Sequence, residues 1–565
     1  MLHLPFFTKK KPGIKPTILL ILDGFGLAPA SEGNAITLAK TPNYDRLLEK
    51  FPHAELIASG ESVGLPANEV GNTEVGHLTL GAGRVILQDL KRINLAIEKG
   101  TFFDNKAFLG ATAHIKRFNS KLHIMGLVSS GNVHSSLAHL YAILQLCKKE
   151  DIKDAYLHVF TDGRDSPPKE GIEIIQQIEN NLHLLRVGRI ASVTGRYYAM
   201  DRDRRWDRTA KAYKAICSGV GSQAFSSLDA IKGAYLKGQS DEFIEPTVIS
   251  NNSAPIATVN DNDAIIFFNY RIDRPRQLAM AFVMNDFENL KRFDFGYDPI
   301  TNLREGEVDI GTTFVREKVP KNLFFVTMTE YHKKLPVSGV AFTPEVIQKP
   351  ISVCLAEVGL KQLRMAESEK ERFVTYYFDG MNETKLEGED VVIVPSPKVP
   401  TYDVRPQMSL QKLMAEFKRE IKRGIHHFTV VNIANSDMVA HTGNLKATII
   451  AIEIVDKYIG ELTRFVLEMD GTLFITADHG NAEELLTFPS STYFYTSSKG
   501  AINTDHSNNP VPLIIVSNKF LGNPLNLGKG GLADVAPTIL NLMGISIPKE
   551  MTGKILLHVG VQISQ

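Results

Sequence analysis

Short, continuous apolar runs that stop at a turn or a polar residue recur along this chain. Thr17–Leu22, TILLIL, halts at Asp-Gly-Phe-Gly and predicts a buried strand with Asp23 at its C-terminal end. The same pattern predicts strands at Lys121–Val128 before a Ser/Gly turn, at Ala155–Phe160 before Thr161-Asp162-Gly163, and at Ala264–Phe268 before Asn269-Tyr270-Arg271. Two more are expected at Phe428–Ile433 before Ala434-Asn435 and at Thr472–Thr476 before Ala477-Asp478-His479. Between them, Pro42–Lys50, Ser135–Lys149 and Lys446–Leu467 carry the period of amphipathic helices.

Strands alternating with helices point to an α/β architecture with parallel sheets, which bind ligands beyond the C-terminal ends of their strands. Phe295–Pro320, rich in Gly, Asp and Glu and without a clear period, is expected to be an exposed loop insertion.

Composition narrows this picture. A chain of 565 residues exceeds one ordinary core, so two or more domains are expected. Lys+Arg and Asp+Glu balance at 63 each, which argues against a nucleic-acid coat or an acidic-membrane binder and leaves local basic clefts open. Cys147, Cys217 and Cys354 form no CxxC pair and are expected to be core thiols in a reducing compartment. The start, MLHLPFFTKKKPGIKP, lacks the layout of a signal peptide and the length of a membrane span. Its Lys9–Lys11 run is expected to be a solvated terminus.

The candidate chemistry falls into three groups. Asp437 and His441 in NSDMVAHTG are spaced to share one side of a helical turn. With Asp23, Asp478, His479 and His506 they make a set of carboxylates and imidazoles suited to two divalent metals, Mn²⁺ or Zn²⁺ ahead of Mg²⁺. Arg164 in TDGRDSPP, Arg196 and Arg202 in TGRYYAMDRDRRWDR, and Arg271 and Arg274 in NYRIDRPR form the second group. Their planar forks suit a small, doubly anionic substrate. Arg204, Arg205 and Arg208 read instead as surface ion pairs, and Trp206 as packing. The third group is Gly71-Asn72-Thr73-Glu74-Val75-Gly76-His77, which reads either as an anion cradle at a helix start or as a plain N-cap at Asn72 or Thr73.

In order along the chain, LILDGFG, GNTEVGHLTLGAGR, DGRD, GRYYAMDRDRRWDR, NYRIDR, AESEK, SPKVPTYD and TADHGNAE closely resemble the motifs of the cofactor-independent phosphoglycerate mutases of the alkaline phosphatase superfamily. The resemblance implies an α/β protein of two domains, in which an alkaline-phosphatase-like metal-binding domain carries an inserted α/β phosphotransferase domain. It places an N-terminal extension at 1–15, the metal-binding domain at 16–76 and 335–565, and the insert at 77–334. One metal would be held by Asp437, His441 and His506, the other by Asp23, Asp478, His479 and the Thr73 hydroxyl. His134, Arg164, Asp165, Arg196, Arg202, Arg271, Arg274 and Lys370 match the family's substrate-binding and acid–base positions.

The implied activity is interconversion of 3-phosphoglycerate and 2-phosphoglycerate by a cytoplasmic monomer, with two divalent metals, foremost Mn²⁺, and no 2,3-bisphosphoglycerate. Thr73 would be the nucleophile, Lys370 would stabilise the transferring oxygens, and Asp165 would shuttle the hydroxyl proton. Neither nucleic acid nor membrane is implied as a partner.

Two departures stand out. The family usually has serine in place of Thr73, and threonine keeps the hydroxyl while its methyl stiffens χ1. VSSGNVHSS at Val128–Ser136 puts Ser130 and Ser136 where the family has an acid and a histidine, which would weaken the support of His134. Two rival readings remain. A metal-dependent phosphatase or phosphopentomutase would share the metal ligands without the arginine set, and a catalytically silent relative would rest on the two departures alone.

Overall fold

The computed structural model describes residues 14–252, 254–298, 303–487 and 500–557. The Lys9–Lys11 run lies outside them. The chain forms two compact α/β units, Met1–Gln88 with Val346–Gln565, and Asp89–Glu345.

The first unit is built on an eight-stranded sheet in the order Glu389–Val394, Gln362–Glu367, Phe428–Ile433, Thr17–Leu22, Thr472–Thr476, Val511–Ser517, His53–Ile57, Asn526–Gly531. The first five strands are mutually parallel, and Val511–Ser517 runs antiparallel to both its neighbours. Every residue of Thr17–Leu22 and Phe428–Ile433 is buried. Central strands covered on both faces have no solvent side to alternate towards, hence their unbroken apolar runs. The helix Leu445–Glu468, capped by Asn444 accepting from the Ala447 amide, packs its apolar side into this core.

The second unit carries a sheet in the order Gly339–Phe342, Phe324–Thr329, Ala264–Phe267, Leu122–Val128, Ala155–Thr161, Arg189–Gly195, Thr247–Asn251, Ser222–Ala224, with Ala254–Pro255 pairing onto Thr247–Asn251. From Gly339–Phe342 to Arg189–Gly195 the neighbours are parallel.

Three sequence readings need correction or completion. Phe295–Pro320 is not all loop, because Arg292–Asp298 and Leu303–Asp309 pair as an antiparallel ribbon. Its Gly, Asp and Glu content hides the strand period, and the anchors lie at its ends, where Phe293 and Ile310 are buried. Arg208 does form an ion pair, with Asp201 at 3.4 Å, but a half-buried one whose guanidinium also stacks 3.6 Å above the Tyr197 ring. Trp206 is a packing residue, buried against Phe287, with its indole N–H donating to the Ile310 carbonyl at 2.6 Å. Among the described residues, no helix is long and apolar enough to cross a membrane.

Candidate active site

In both units the chemistry sits where parallel strands end. In the first unit Asp23 follows Thr17–Leu22, Asp478 and His479 follow Thr472–Thr476, Lys370 follows Gln362–Glu367, and Asp437 opens the short helix Asn435–Ala440 after Phe428–Ile433. His506 precedes Val511–Ser517, whose reversed direction brings its start to the same edge. Gly24, at φ 68°, turns the chain after Asp23, and a Cβ there would lie 2.8 Å from that of Asp437. Gly76 gives similar clearance, since a Cβ would come within 2.7 Å of the Asp478 Cβ.

The helix Thr73–Ala82 settles which residue caps it. The Asn72 side chain accepts from the Val75 amide at 3.0 Å. The Thr73 hydroxyl is thereby released from capping, and its Oγ1 lies 2.9 Å from His479 Nε2 and 3.1 Å from Lys370 Nζ. Lys370 Nζ also donates to Asp23 Oδ1 at 2.8 Å and to Asp437 Oδ2 at 2.7 Å.

The donor set fits cations. His441 Nδ1 contacts the Thr504 carbonyl at 2.7 Å and His506 Nδ1 contacts the Gly71 carbonyl at 2.8 Å. A carbonyl only accepts, so each Nδ1 carries the proton of a neutral ring and each Nε2 offers a lone pair. Both lone pairs aim at one place, 3.1 Å apart, with Asp437 Oδ1 at 3.1 Å from His441 and 3.4 Å from His506. Three acceptors converging on one point, the Asp437 carboxylate among them buried, repel unless a cation joins them. His479 repeats the arrangement, its Nδ1 on the Gly480 carbonyl at 3.2 Å and its Nε2 near Asp23 Oδ1 at 3.4 Å and Asp478 Oδ2 at 3.5 Å. Asp478 Oδ2 is buried and accepts no hydrogen bond.

Electrostatics agrees. Asp23, Asp437 and Asp478 are almost wholly buried, and Lys370 is the ammonium among them. Burial works against the Asp437 carboxylate, yet the Lys370 ammonium beside it holds its pKa well below the ordinary range. With no metal bound, burial likewise opposes charge on His479, but Asp478, Asp23 and Asp437 raise its pKa to about 10, so that a proton takes the place a cation would fill. The cluster calls for more positive charge than its own side chains supply. Asp437, His441 and His506 form one possible metal-holding group, and Asp23, Asp437 and His479 another.

Sequence reasoning missed several residues here. His77, with Asp23 and Asp478, completes a third group of suitable ligand atoms. Its Nδ1 lies 2.9 Å from the Thr73 carbonyl and its Nε2 is 3.1 Å from the Asn432 amide nitrogen, so both nitrogens are engaged and the ring braces Thr73. The spacing from Thr73 to His77, one helical turn, was the available signal. Asn432 donates to Asp23 Oδ2 at 2.7 Å and Asn481 to Asp437 Oδ1 at 2.9 Å.

The second unit gathers its own set. His134 follows Leu122–Val128, Arg164 and Asp165 follow Ala155–Thr161, Arg196 follows Arg189–Gly195, and Arg271 and Arg274 follow Ala264–Phe267. Arg196, 2% exposed, bridges Asp162 at 2.5 Å and Asp165 at 2.6 Å. Arg202 pairs with Asp273 at 2.8 Å, as does Arg271 at 3.2 Å, while Arg164 holds Glu242 at 2.6 Å. His134 lies between two carboxylates, Nε2 3.6 Å from Asp165 and Nδ1 3.6 Å from Asp273. Burial lowers its pKa to about 4 against the pull of Asp273, and Arg196, Arg271 and Arg274 add to the lowering. Burial and the crowd of Arg196, Arg202 and Arg164 lower Arg274 to about 10. Such a concentration of guanidinium groups, three of them partly exposed, favours an anion. Asp162, Glu242 and Asp273 were not singled out from sequence, although Asp162 and Asp273 lie within DGRD and NYRIDR. Ser130 turns to Glu170, its hydroxyl donating at 2.8 Å, and so does not buttress His134.

Comparison with known proteins places this geometry. Residues 93–333 match the family model described as BPG-independent PGAM N-terminus. A 2,3-bisphosphoglycerate-independent phosphoglycerate mutase of Moorella thermoacetica is 45% identical over 546 residues, covering 97% of this chain and 99% of that protein. One from Methanosarcina barkeri is 44% identical over 545 residues, covering 96% and 98%. A crystal structure of Leishmania mexicana phosphoglycerate mutase at low cobalt concentration aligns with a TM-score of 0.62 at 27% identity, over 97% of this chain and 98% of that one. Likeness of that extent, running through both units, makes this chain a member of the 2,3-bisphosphoglycerate-independent phosphoglycerate mutases.

Proposed function

We propose that this protein interconverts 3-phosphoglycerate and 2-phosphoglycerate through a phosphothreonine on Thr73, without added 2,3-bisphosphoglycerate. The observation that carries the proposal is the position of the Thr73 Oγ1, freed from capping by Asn72 and held between His479 Nε2 and Lys370 Nζ. Asp437, His441 and His506 would hold one divalent ion, and Asp23, Asp478, His479 and the Thr73 hydroxyl a second. Mixed carboxylate and imidazole donors favour Mn²⁺. Bound there, the ions act as Lewis acids, lowering the pKa of the hydroxyl and neutralising charge on the phosphoryl group.

Thr73 Oγ attacks phosphorus in line, the Thr73 Oγ–P bond forms, and the bond from phosphorus to the glycerate oxygen breaks. Lys370 stabilises the phosphoryl oxygens, and His77 holds Thr73 through its carbonyl. The leaving glycerate oxygen takes a proton from Asp165. After reorientation the other hydroxyl of glycerate returns a proton to Asp165 as its oxygen bonds to phosphorus and the Thr73 Oγ–P bond breaks, so that Thr73 leaves in the protonation state in which it attacked. Asp165 is the assigned carrier of that proton, oriented by Arg196 at 2.6 Å. His134, Arg164, Arg196, Arg202, Arg271 and Arg274 bind the anionic substrate. No water enters the net reaction.

We place the protein in the cytoplasm as a monomer acting on a small molecule, a reading supported by three buried, unpaired cysteines and balanced charge. The test is conversion of 3-phosphoglycerate with no bisphosphoglycerate, after chelation and again after Mn²⁺ addition. No turnover with any metal would refute the assignment.

A further inference from the structure

Glu483 belongs to TADHGNAE, is 1% exposed, and has no part in the chemistry above. Its carboxylate accepts four hydrogen bonds from three separate segments. Oε2 accepts from the Gly26 amide at 2.9 Å and the Asn481 amide at 2.8 Å. Oε1 accepts from the Ser507 hydroxyl and, at 3.1 Å, from the Asn509 side-chain amide. An ionised carboxylate accepts and never donates, so the four bonds use its capacity fully.

The segments it joins are those that bear the candidate ligands. Gly26 closes the turn after Asp23, Asn481 ends the turn bearing Asp478 and His479 and itself donates to Asp437 at 2.9 Å, and Ser507 adjoins His506. Gly480 and Ser507 also meet through a backbone bridge. Two glycines leave the space it fills: a Cβ on Gly26 or on Gly480 would collide with the Glu483 carboxylate. Neither glycine has a positive φ, so clearance accounts for them and conformation does not.

We infer that Glu483 is a positioning residue that locks the Asp23, Asp478–His479 and His506 segments into one register, so that their ligand atoms are set before a metal arrives. This rests on the reading of those residues as metal ligands. Partners that hydrogen-bond metal ligands directly commonly change affinity by roughly 10- to 100-fold when lost, and Glu483 holds the backbone segments that carry the ligands.

Glu483→Gln tests it, because glutamine keeps the shape while its amide nitrogen must face donors on either side. Stripped of metal with chelator, the variant should keep the wild-type circular dichroism spectrum, with a lowered urea midpoint from the donors left unpaired. Titrated with Co²⁺ alone, it should bind roughly 10- to 100-fold more weakly by calorimetry, with a changed visible absorption band. Should it fail to fold, Gly26→Ala, Glu483→Ala and the double variant take its place. The two losses should then fail to multiply, since alanine at 26 no longer meets a carboxylate. Wild-type affinity and band in Glu483→Gln, or fully multiplicative losses in the double variant, would overturn the inference while leaving the ligand set intact. Absence of Co²⁺ binding to the wild-type protein would overturn both.

Discussion

His441 and His506 point their Nε2 atoms at each other across 3.1 Å, each ring pinned from behind by a backbone carbonyl 2.7–2.8 Å from Nδ1. That fixes the tautomer of both rings and leaves two lone pairs facing one carboxylate. Such a site is costly when empty and favourable when filled.

Metal should therefore act on stability as well as on rate. Removing it with chelator should abolish mutase activity and lower the thermal midpoint, and Mn²⁺ at 100 times its dissociation constant should return about 2.7 kcal/mol. Differential scanning calorimetry with and without chelator checks this. His441→Ala should lose most of that metal-dependent gain, and an unchanged gain would remove His441 from the ligand set.

Thr73→Ala should lower kcat by at least about 10³-fold, because no hydroxyl remains to carry the phosphoryl group. Thr73→Ser should stay active, since it keeps the oxygen and drops only the methyl. Mass spectrometry of acid-quenched enzyme should find phosphate on residue 73 in the wild type, and its absence under turnover would end the covalent mechanism.

Arg196→Lys should lower kcat/KM by roughly 10- to 100-fold, since a single ammonium cannot bridge Asp162 and Asp165 and present a fork to substrate as well. Steady-state kinetics in both directions would show it, and near wild-type values would mean that Arg196 serves only the loop.

Acid should weaken the second unit. Burial lowers the His139 pKa from 6.5 to about 4, and it lowers His123 and His158 in the same direction. The unfolded chain gains these protons as pH falls below 6.5 while the folded unit resists, so stability is lost between pH 6.5 and about 4. Each histidine contributes up to about 1.4 kcal/mol per pH unit. Trp206, the single tryptophan, is buried in this unit and reports its urea unfolding by fluorescence. His139→Gln should flatten the pH dependence, and an unchanged slope would count against it.

Much of this was legible in one dimension. Thr17–Leu22, Phe428–Ile433 and Thr472–Thr476 are the strands the apolar runs predicted, residue for residue, because a strand covered on both faces is apolar at most of its positions. The polar residues that stop those runs are the candidate ligands, because parallel sheets end all their strands at one edge. What sequence could not supply was partnership. Asn72 and Thr73 were equivalent as caps until the helix was placed, and the Arg292–Asp298 ribbon had no period to reveal it. Glu483 was one acid among many until three donors from distant segments joined a neighbouring amide on its two oxygens. By itself the sequence determined which residues are candidates for the chemistry and which strands present them, since burial and turn preference are local. Only the tertiary structure decided which tautomers, which pairs and which supporting carboxylates make them a site, since hydrogen bonds between remote segments depend on where the whole chain packs.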